Sequence, residues 1–243
     1  AVLGQADWFV IPFGADRVDA DRVIMEAGPG DAIQIRCPTP FIQINTTRQA
    51  SLRLNDPHYV FPEAPDLRAM TGAAVQLDFL RDHLNGYCDL WRKPQKLFLD
   101  SYFEFINARV ADAQATLAAA LEKFGDLYDV QDWALSAPRP IPRALIRRPN
   151  GDGSYTPVDF AFWFNGRIVV VLLVGTGTPT RADRNRRASL ESAGVGGSDI
   201  EIVDISVQAL QRDGADYLST ALPIDFGMFW EGEAMPSSPF KGA

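Results

Sequence analysis

The sequence has few cysteines and few histidines, two of each among 243 residues. Cys37 and Cys88 lie far apart and lack the short spacing of zinc ligands, so neither a disulfide framework nor a zinc site is indicated. His58 and His83 share no motif with a catalytic serine or cysteine. We therefore expect both thiols to be reduced and both histidines to be non-catalytic.

The chain also lacks a net positive charge and long apolar runs. The formal net charge of −8 argues against a protein that coats nucleic acid through overall basicity. No stretch is apolar over the roughly 20 residues that a membrane helix needs, and the first residues lack the pattern of a secretion signal. These absences predict a cytoplasmic protein without a membrane partner.

A hydrophobic content of 47% is sufficient for a large core. The distribution of apolar residues predicts four segments: a β-rich N-terminal region at 1–65, a helical connector at 66–98, an α/β core at 99–222, and an extended C-terminal tail at 223–243 that carries aromatic residues. The predicted fold class is α/β (α+β overall), with a mixed sheet flanked by helices.

In the first half, short apolar runs alternate with Gly, Pro and Asp, which predicts several strands joined by turns. These runs are WFVIPF, RVIMEA, AIQIR and PFIQIN. A helix is expected over residues 66–86, with Gly72 as a break. A longer amphipathic helix is expected to begin at Asp100 or Ser101 and to end at Gly125.

In the second half, strands are predicted at residues 128–135 and 143–147. The dipeptide Asn165-Gly166 then separates two apolar runs, VDFAFWF and RIVVVLLV, and is the dipeptide most favoured in a two-residue hairpin. The second run is apolar on both faces, which is typical of a central strand. A helix at residues 181–193, a strand at 199–205 and a short helix capped by Ser206 and reaching Arg212 complete the core.

The segment TPVDFAFWFNGRIVVVLLVGTGTPTRADRNRRASLESAG, followed by EIVDIS, resembles the PD-(D/E)XK nuclease superfamily, in particular its very-short-patch-repair branch. Asp159 matches the acid that opens a strand, and Gly175 matches the glycine after the next strand. Arg187 and Leu190 match the basic helix, and Gly194 matches its end. The resemblance implies a restriction-endonuclease-like core within residues 99–222.

The resemblance also implies that the usual metal-binding positions are degenerate. The family's Glu falls on Leu172, its following Asp or Lys on Val174, and its His near Thr178. Because side chains alternate along a strand, Leu172 and Val174 share one face, the face that the chemistry would need. Neither can bind Mg²⁺, and a lone Asp159 would bind it weakly.

Acids elsewhere could rebuild a metal site. The candidates are Glu104 on the long helix and Asp183 and Glu191 on the basic helix. Of these, Glu104 or Glu191 acting together with Asp159 is the expected combination. Alternatively, Asp159 has a structural role, capping its strand or pairing with Arg147 or Arg148. No cofactor is expected in the second case, and Mg²⁺ is expected only in the first.

Arginines outnumber acids in and around the predicted core. Guanidinium groups bind phosphate oxygens in pairs, so this face predicts contact with DNA or with an acidic protein partner. The candidate phosphate-binding residues are Arg147, Arg148, Arg181, Arg184 and Arg187.

The leading hypothesis is a catalytically inactive nuclease fold that serves as a binding or assembly module. The first alternative is a metal-dependent DNA endonuclease with relocated acids. The second is a nucleotide-binding protein, because Gly175 and Gly177 lie between a strand and a helix, with Asp204 at the end of the next strand. The third glycine of that fingerprint is absent.

Overall fold

The computed structural model describes residues 8–16, 22–27, 33–46, 49–56, 67, 70–89, 91, 93–147, 155–191 and 200–224. The predicted turn at 149–153 and the tail beyond residue 224 lie outside this part of the chain, as do His58, Arg148 and Gly194. The fold is mixed α/β, as predicted, with a four-stranded mixed sheet and helices against it.

The four strands predicted in the N-terminal region are present. They are β1 (Trp8–Pro12), β2 (Ile24–Ala27), β3 (Ile33–Arg36) and β4 (Phe41–Asn45). Strands β1 and β4 form one antiparallel pair, and β2 and β3 form another. The segment after β4 is hydrogen-bonded to the central hairpin, because Leu52 N donates to Trp163 O at 3.0 Å and the Trp163 indole donates to Gln49 O at 2.7 Å.

Three helices follow: α1 (Ala73–Asn85), α2 (Lys93–Asp112) and α3 (Gln114–Leu121). Gly72, where the sequence predicts a break, is the residue immediately before α1, and its φ is 91°. The predicted start of the long helix at Asp100 or Ser101 is wrong, because α2 begins at Lys93. Pro94 is tolerated in the first helical turn, where its missing N–H would have no partner in the helix.

The end predicted for this helix at Gly125 is also wrong. A turn at Ala113 separates α2 from α3, and a 3₁₀ helix follows at Glu122–Leu127. The strand predicted at residues 128–135 is instead a second 3₁₀ helix, Val130–Ser136. Asp129 and Asp132 form a reciprocal capping box, which stabilises a helical turn at the expense of extended backbone.

The central sheet has the order β10-β9-β8-β5. Its strands are β5 (Ile141–Pro142), β8 (Phe160–Phe164), β9 (Arg167–Val174) and β10 (Ile200–Ser206). Between β5 and β8, the chain forms a separate antiparallel pair, β6 (Leu145–Arg147) and β7 (Tyr155–Pro157). Strand β9 is antiparallel to β8 and parallel to β10. The predicted hairpin is confirmed, with φ of 54° at Asn165 and 72° at Gly166.

Two helices complete the described chain, α4 (Arg181–Glu191) and α5 (Val207–Ala221). The predicted cap is confirmed, since the Ser206 hydroxyl accepts a hydrogen bond from Ala209 N at 3.2 Å. The predicted end at Arg212 is wrong. Gly214 adopts φ of 51° and kinks α5 without ending it, because Leu210 and Leu218 on either side are both buried in the same core.

Both faces of the sheet are covered. On one face, the side chains of Val169 and Val171 pack with α1, α2 and α5. On the other face, Val170 packs with the N-terminal strands and with Leu190 of α4. Strand β9 is therefore central and buried on both sides, as its sequence predicts.

Within the described ranges, no helix has both the length and the hydrophobicity to cross a membrane. Cys37 and Cys88 are free thiols, as expected. Burial raises the pKa of the Cys88 thiol to about 12, so this group is not a reactive thiolate at neutral pH.

Replacing Gly166 with alanine is expected to destabilise the protein by about 1 kcal/mol, because a Cβ in the left-handed conformation is strained. Nothing lies within 4 Å of the added Cβ, so the effect isolates the backbone. Gly175→Ala is the matched control, with equally open space and no positive φ. Urea unfolding measures both, and equal stabilities of the two variants would contradict this account of the hairpin.

Candidate functional site

A cleft of about 820 Å³ lies where the first turn of α2, the strand ends near β7 and β8, and helix α4 meet. Asp159 stands at the bend immediately before β8 and belongs to the lining. The other lining residues are Pro94, Gln95, Thr156, Pro157, Leu173, Ala182, Asp183, Asn185, Arg186 and Ser189. The sequence-predicted acid therefore lies in a cleft large enough for a ligand.

Asp159 is 5% exposed, and both of its carboxylate oxygens accept hydrogen bonds. Its Oδ1 accepts a hydrogen bond from Gln95 Nε2 at 3.1 Å, and its Oδ2 accepts one from Leu173 N at 3.0 Å. The second bond fastens the start of β8 to the end of β9. Both bonds stabilise the charged form of a buried carboxylate, which would otherwise be costly to remove from water. This is the kind of structural role that the sequence left open for Asp159.

Gln95 is the residue of this site that the sequence analysis missed. It is 2% exposed, and its Oε1 accepts a hydrogen bond from Asp89 N at 2.9 Å while its Nε2 donates to Asp159. Its side chain thus connects the end of the α1–α2 loop with the start of β8. One signal was available: Gln95 falls on the helix face that also carries the apolar residues Phe98 and Tyr102, where a polar side chain is expected to have a buried partner.

The structure changes which residue of β9 faces the cleft. The sequence analysis assigned that role to Leu172 and Val174, but the residue beside Asp159 in the cleft is Leu173. Leu172 is buried in the core on the other face of the sheet, and Val174 is 37% exposed at the strand end. The bend at Asp159 places its carboxylate against the backbone of residue 173. The cleft-facing residue is again aliphatic, so β9 supplies no carboxylate to the cleft.

The residues present do not fit a divalent cation. Within the described ranges, no group of three or more His, Cys, Asp or Glu side chains could hold a metal ion. Asp183 shares the cleft with Asp159, but its oxygens accept hydrogen bonds from Thr180 and Arg186. Mg²⁺ prefers several oxygen ligands in nearly octahedral geometry, and the amide nitrogen of Gln95 beside Asp159 cannot serve as one.

The other two relocated-acid candidates, Glu104 and Glu191, lie elsewhere. Glu104 lines a separate groove of about 390 Å³ between α1 and α2, together with Asp78 and Arg81. Glu191 lies in the last turn of α4, where its Oε1 accepts a hydrogen bond from Arg187 Nε at 3.1 Å. Neither Glu104 nor Glu191 belongs to the described residues that line the Asp159 cleft.

The turn that contains Gly175 and Gly177 leads into a second pocket of about 420 Å³, which Thr178 and Asp204 also line. Helix α4 begins after this turn, and its N-terminus would favour an anion. The Asp183 carboxylate already accepts a hydrogen bond there, from Thr180 N at 2.9 Å.

Thr180 and Asp183 form a capping box, because Asp183 N also donates to the Thr180 hydroxyl at 3.2 Å. Hydrogen bonds from the hydroxyl and the backbone N–H of Thr180 lower the pKa of the Asp183 carboxyl. A phosphate at this helix end would therefore meet a carboxylate that stays ionised.

The arginines of α4 are largely compensated. Arg187 pairs with Asp204 and Glu191, and the charge of Asp204 is the main cause that raises the pKa of Arg187. Arg186 pairs with Asp183 at 3.2 Å. Arg184 donates to the carbonyl of Pro179 at 2.7 Å.

Of the other predicted phosphate-binding residues, Arg147 at the end of β6 and Arg181 at the start of α4 are exposed. The basic cluster predicted from the sequence is thus a surface of interleaved charges of both signs.

We expect Asp159→Ala to destabilise the protein by about 2 kcal/mol or more, because the Gln95 amide and the Leu173 N–H would lose their acceptor in a buried place. Glu104→Ala removes an exposed carboxylate from α2 and serves as the control, with a change within about 0.5 kcal/mol. Denaturant unfolding of both variants tests this. Equal stabilities would mean that Asp159 has no structural role.

The chain was compared with protein-family models, curated proteins and solved structures, and none of the three comparisons found a match.

Proposed function

We propose that this protein is a catalytically inactive nuclease-like fold that acts as a binding or assembly module. One observation carries the proposal: the buried carboxylate of Asp159 is complemented by an amide and a backbone N–H, at distances of 3.1 and 3.0 Å. Such donors stabilise the anion without a metal ion. The carboxylate is therefore a structural element of the cleft.

The order of elements supports the nuclease-like part of the proposal. After helix α2, the central sheet takes the antiparallel strands β5, β8 and β9, and helix α4 then leads to β10, which is parallel to β9. Helix α3 and two 3₁₀ helices lie between α2 and β5, and the pair β6 and β7 lies between β5 and β8. Apart from these additional elements, this is the order of helix, strand, hairpin, helix and strand that the resemblance to the PD-(D/E)XK superfamily implies. Asp159 stands before the hairpin and Gly175 after it, at the positions that carry the resemblance.

The electrostatics of the cleft disfavour phosphate cleavage. A phosphate that approaches Asp159 would be repelled unless a cation lay between the two, and the neighbouring cations are already paired. Arg186 contacts Asp183 at 3.2 Å, and Arg143 contacts Asp16 at 2.7 Å. Without a metal site, neither the attacking water nor the charge that develops on the phosphate would be stabilised.

The surface around α4 favours a protein partner over nucleic acid. Arg187 and Arg186 are engaged with carboxylates, so fewer guanidinium groups remain for phosphates. This surface combines apolar contact area with polar groups. It includes the exposed Val174, the exposed loop at residues 175–180 and the exposed arginines. Arginine is enriched at protein interfaces, and apolar centres with polar rims are typical of them.

We expect no nicking of supercoiled DNA by the protein in Mg²⁺ or Mn²⁺ above the background of the Asp159→Ala variant. Among the described residues of the cleft, the second carboxylate is that of Asp183, and it is already engaged by Thr180 and Arg186. Gel electrophoresis with protein in excess over plasmid measures this. The double variant Asp159→Ala/Glu104→Ala controls for the relocated acid. Metal-dependent nicking that disappears in Asp159→Ala would overturn the proposal that the fold is inactive.

Duplex DNA is expected to bind only in the non-specific range, with a Kd of about 10⁻⁴ to 10⁻⁶ M at physiological salt. Fluorescence anisotropy at two salt concentrations measures the affinity and its salt dependence. The informative variant is Arg181→Glu/Arg184→Glu, since Arg187 is ion-paired and its reversal would disturb Asp204. If the wild type binds DNA tightly, and if this binding falls steeply with salt and is lost in the variant, the partner is nucleic acid and the proposed protein partner is wrong.

A further inference from the structure

The Gln95 amide donates a hydrogen bond to Asp159, and its orientation is fixed from both ends of the amide. Its carbonyl oxygen accepts from Asp89 N at 2.9 Å, so the NH₂ group must face Asp159. Rotating the amide by half a turn would bring its NH₂ against the Asp89 N–H and its oxygen against the Asp159 carboxylate. Both contacts would be unfavourable, because donors would face donors and acceptors would face acceptors.

We propose that Gln95 closes the Asp159 cleft to divalent cations, and that a carboxylate at this one position would open a cation site. The inference rests on the proposed function, since it assigns the absence of a metal site to a particular side chain. An NH₂ group has no lone pair to offer to a cation, and its hydrogens carry the positive end of the amide dipole. It thus occupies the nearest ligand position with a group that repels a cation.

The distance between the two side chains supports the second half of the proposal. Gln95 Nε2 and Asp159 Oδ1 are 3.1 Å apart. Two oxygens that each lie about 2.1 Å from one ion, at the right angle of an octahedron, are about 3.0 Å apart. Glutamate has the shape of glutamine, so Gln95→Glu would place an oxygen at the Nε2 position and keep the acceptor for Asp89 N. Two carboxylates would then stand at the spacing of adjacent ligands of Mg²⁺ or Mn²⁺.

The surroundings leave room for such an ion. The cleft has a volume of about 820 Å³ and is open to water, which can complete an octahedral shell. Other charges at the cleft are balanced, since Arg186 pairs with Asp183 and Arg143 pairs with Asp16. In the Gln95→Glu variant, a cation would therefore meet the two carboxyl groups at positions 95 and 159 side by side.

The same geometry predicts how the variant behaves without a cation. Two carboxylates about 3 Å apart cannot both ionise at low cost, because like charges in a partly buried place repel each other. Gln95→Glu should therefore have a lower Tm than the wild type in the presence of a chelator. Mn²⁺ should raise the Tm of this variant and leave that of the wild type unchanged.

The matched control is the exchanged pair, Gln95→Glu/Asp159→Asn. In this double variant, the amide placed at position 159 donates to the carboxylate placed at position 95, and its oxygen still accepts from Leu173 N. The hydrogen bond is retained with donor and acceptor reversed, so the fold should be as stable as in Asp159→Asn or more so. Only one carboxylate remains, so no cation site is expected.

The experiment measures free Mn²⁺ by electron paramagnetic resonance and thermal unfolding by circular dichroism. Both are measured for the wild type, Gln95→Glu, Asp159→Asn and the exchanged pair. The expected result is one saturable Mn²⁺ site in Gln95→Glu, at least about tenfold tighter than any binding by the wild type or the exchanged pair. If Gln95→Glu is unfolded in chelator, Mn²⁺ should restore its native spectrum.

Two results would overturn the proposal. One is wild-type binding of Mn²⁺ that is as tight as in Gln95→Glu and is lost in Asp159→Asn, which would mean that the amide does not close the cleft. The other is a Gln95→Glu variant that Mn²⁺ neither binds nor stabilises. Both concern cation binding alone, and DNA nicking by the wild type tests the proposed function separately.

Discussion

The burial of strand β9 on both faces is the constraint on which the rest of the structure depends. A strand with apolar side chains on both faces must be covered on both faces, and here each cover combines elements from distant parts of the chain. Helices α1, α2 and α5 cover the face of Val169 and Val171. The N-terminal strands and Leu190 cover the face of Val170 and Leu172. The cleft lies at the C-terminal end of β9, beside α4.

The elements that the sequence predicts correctly are those whose signal is local. The hairpin at Asn165 follows from a dipeptide that tolerates positive φ, and the start of α5 follows from a serine that can cap a helix. The central position of β9 follows from its composition. Each of these features is decided by residues within a few positions of one another, which is why a single sequence suffices to find them.

The errors arise where distant packing or a weak local motif decides. Residues 128–135 carry apolar side chains that would suit a strand, but the capping box of Asp129 and Asp132 and burial against the helices hold them in a 3₁₀ helix. The early start of α2 and the continuation of α5 past Gly214 both reflect buried contacts with the rest of the core. Tertiary contacts of this kind have no local signature.

The same distinction applies to the site. Asp159 was found from the sequence because it stands before the hairpin, but its partner Gln95 is 64 positions away along the chain. Alternation along β9 singles out Leu172 and Val174, whereas the carboxylate of Asp159, at a bend of the backbone, accepts its hydrogen bond from residue 173. Sequence reasoning could place the acid in the fold. The chemical character of its surroundings depends on the amide that meets it there.

The shared core also has a consequence for the order in which this protein folds during synthesis. Strands β1 and β4 leave the ribosome before the central hairpin does, yet Ile11, Ile42 and Ile44 share a core with Trp163 of that hairpin. Contacts so distant in sequence carry a large loop-closure cost and form slowly. The apolar side chains of β1 and β4 therefore cannot be buried against the central hairpin until it has been translated. During this interval, the two strands depend on each other or on a chaperone.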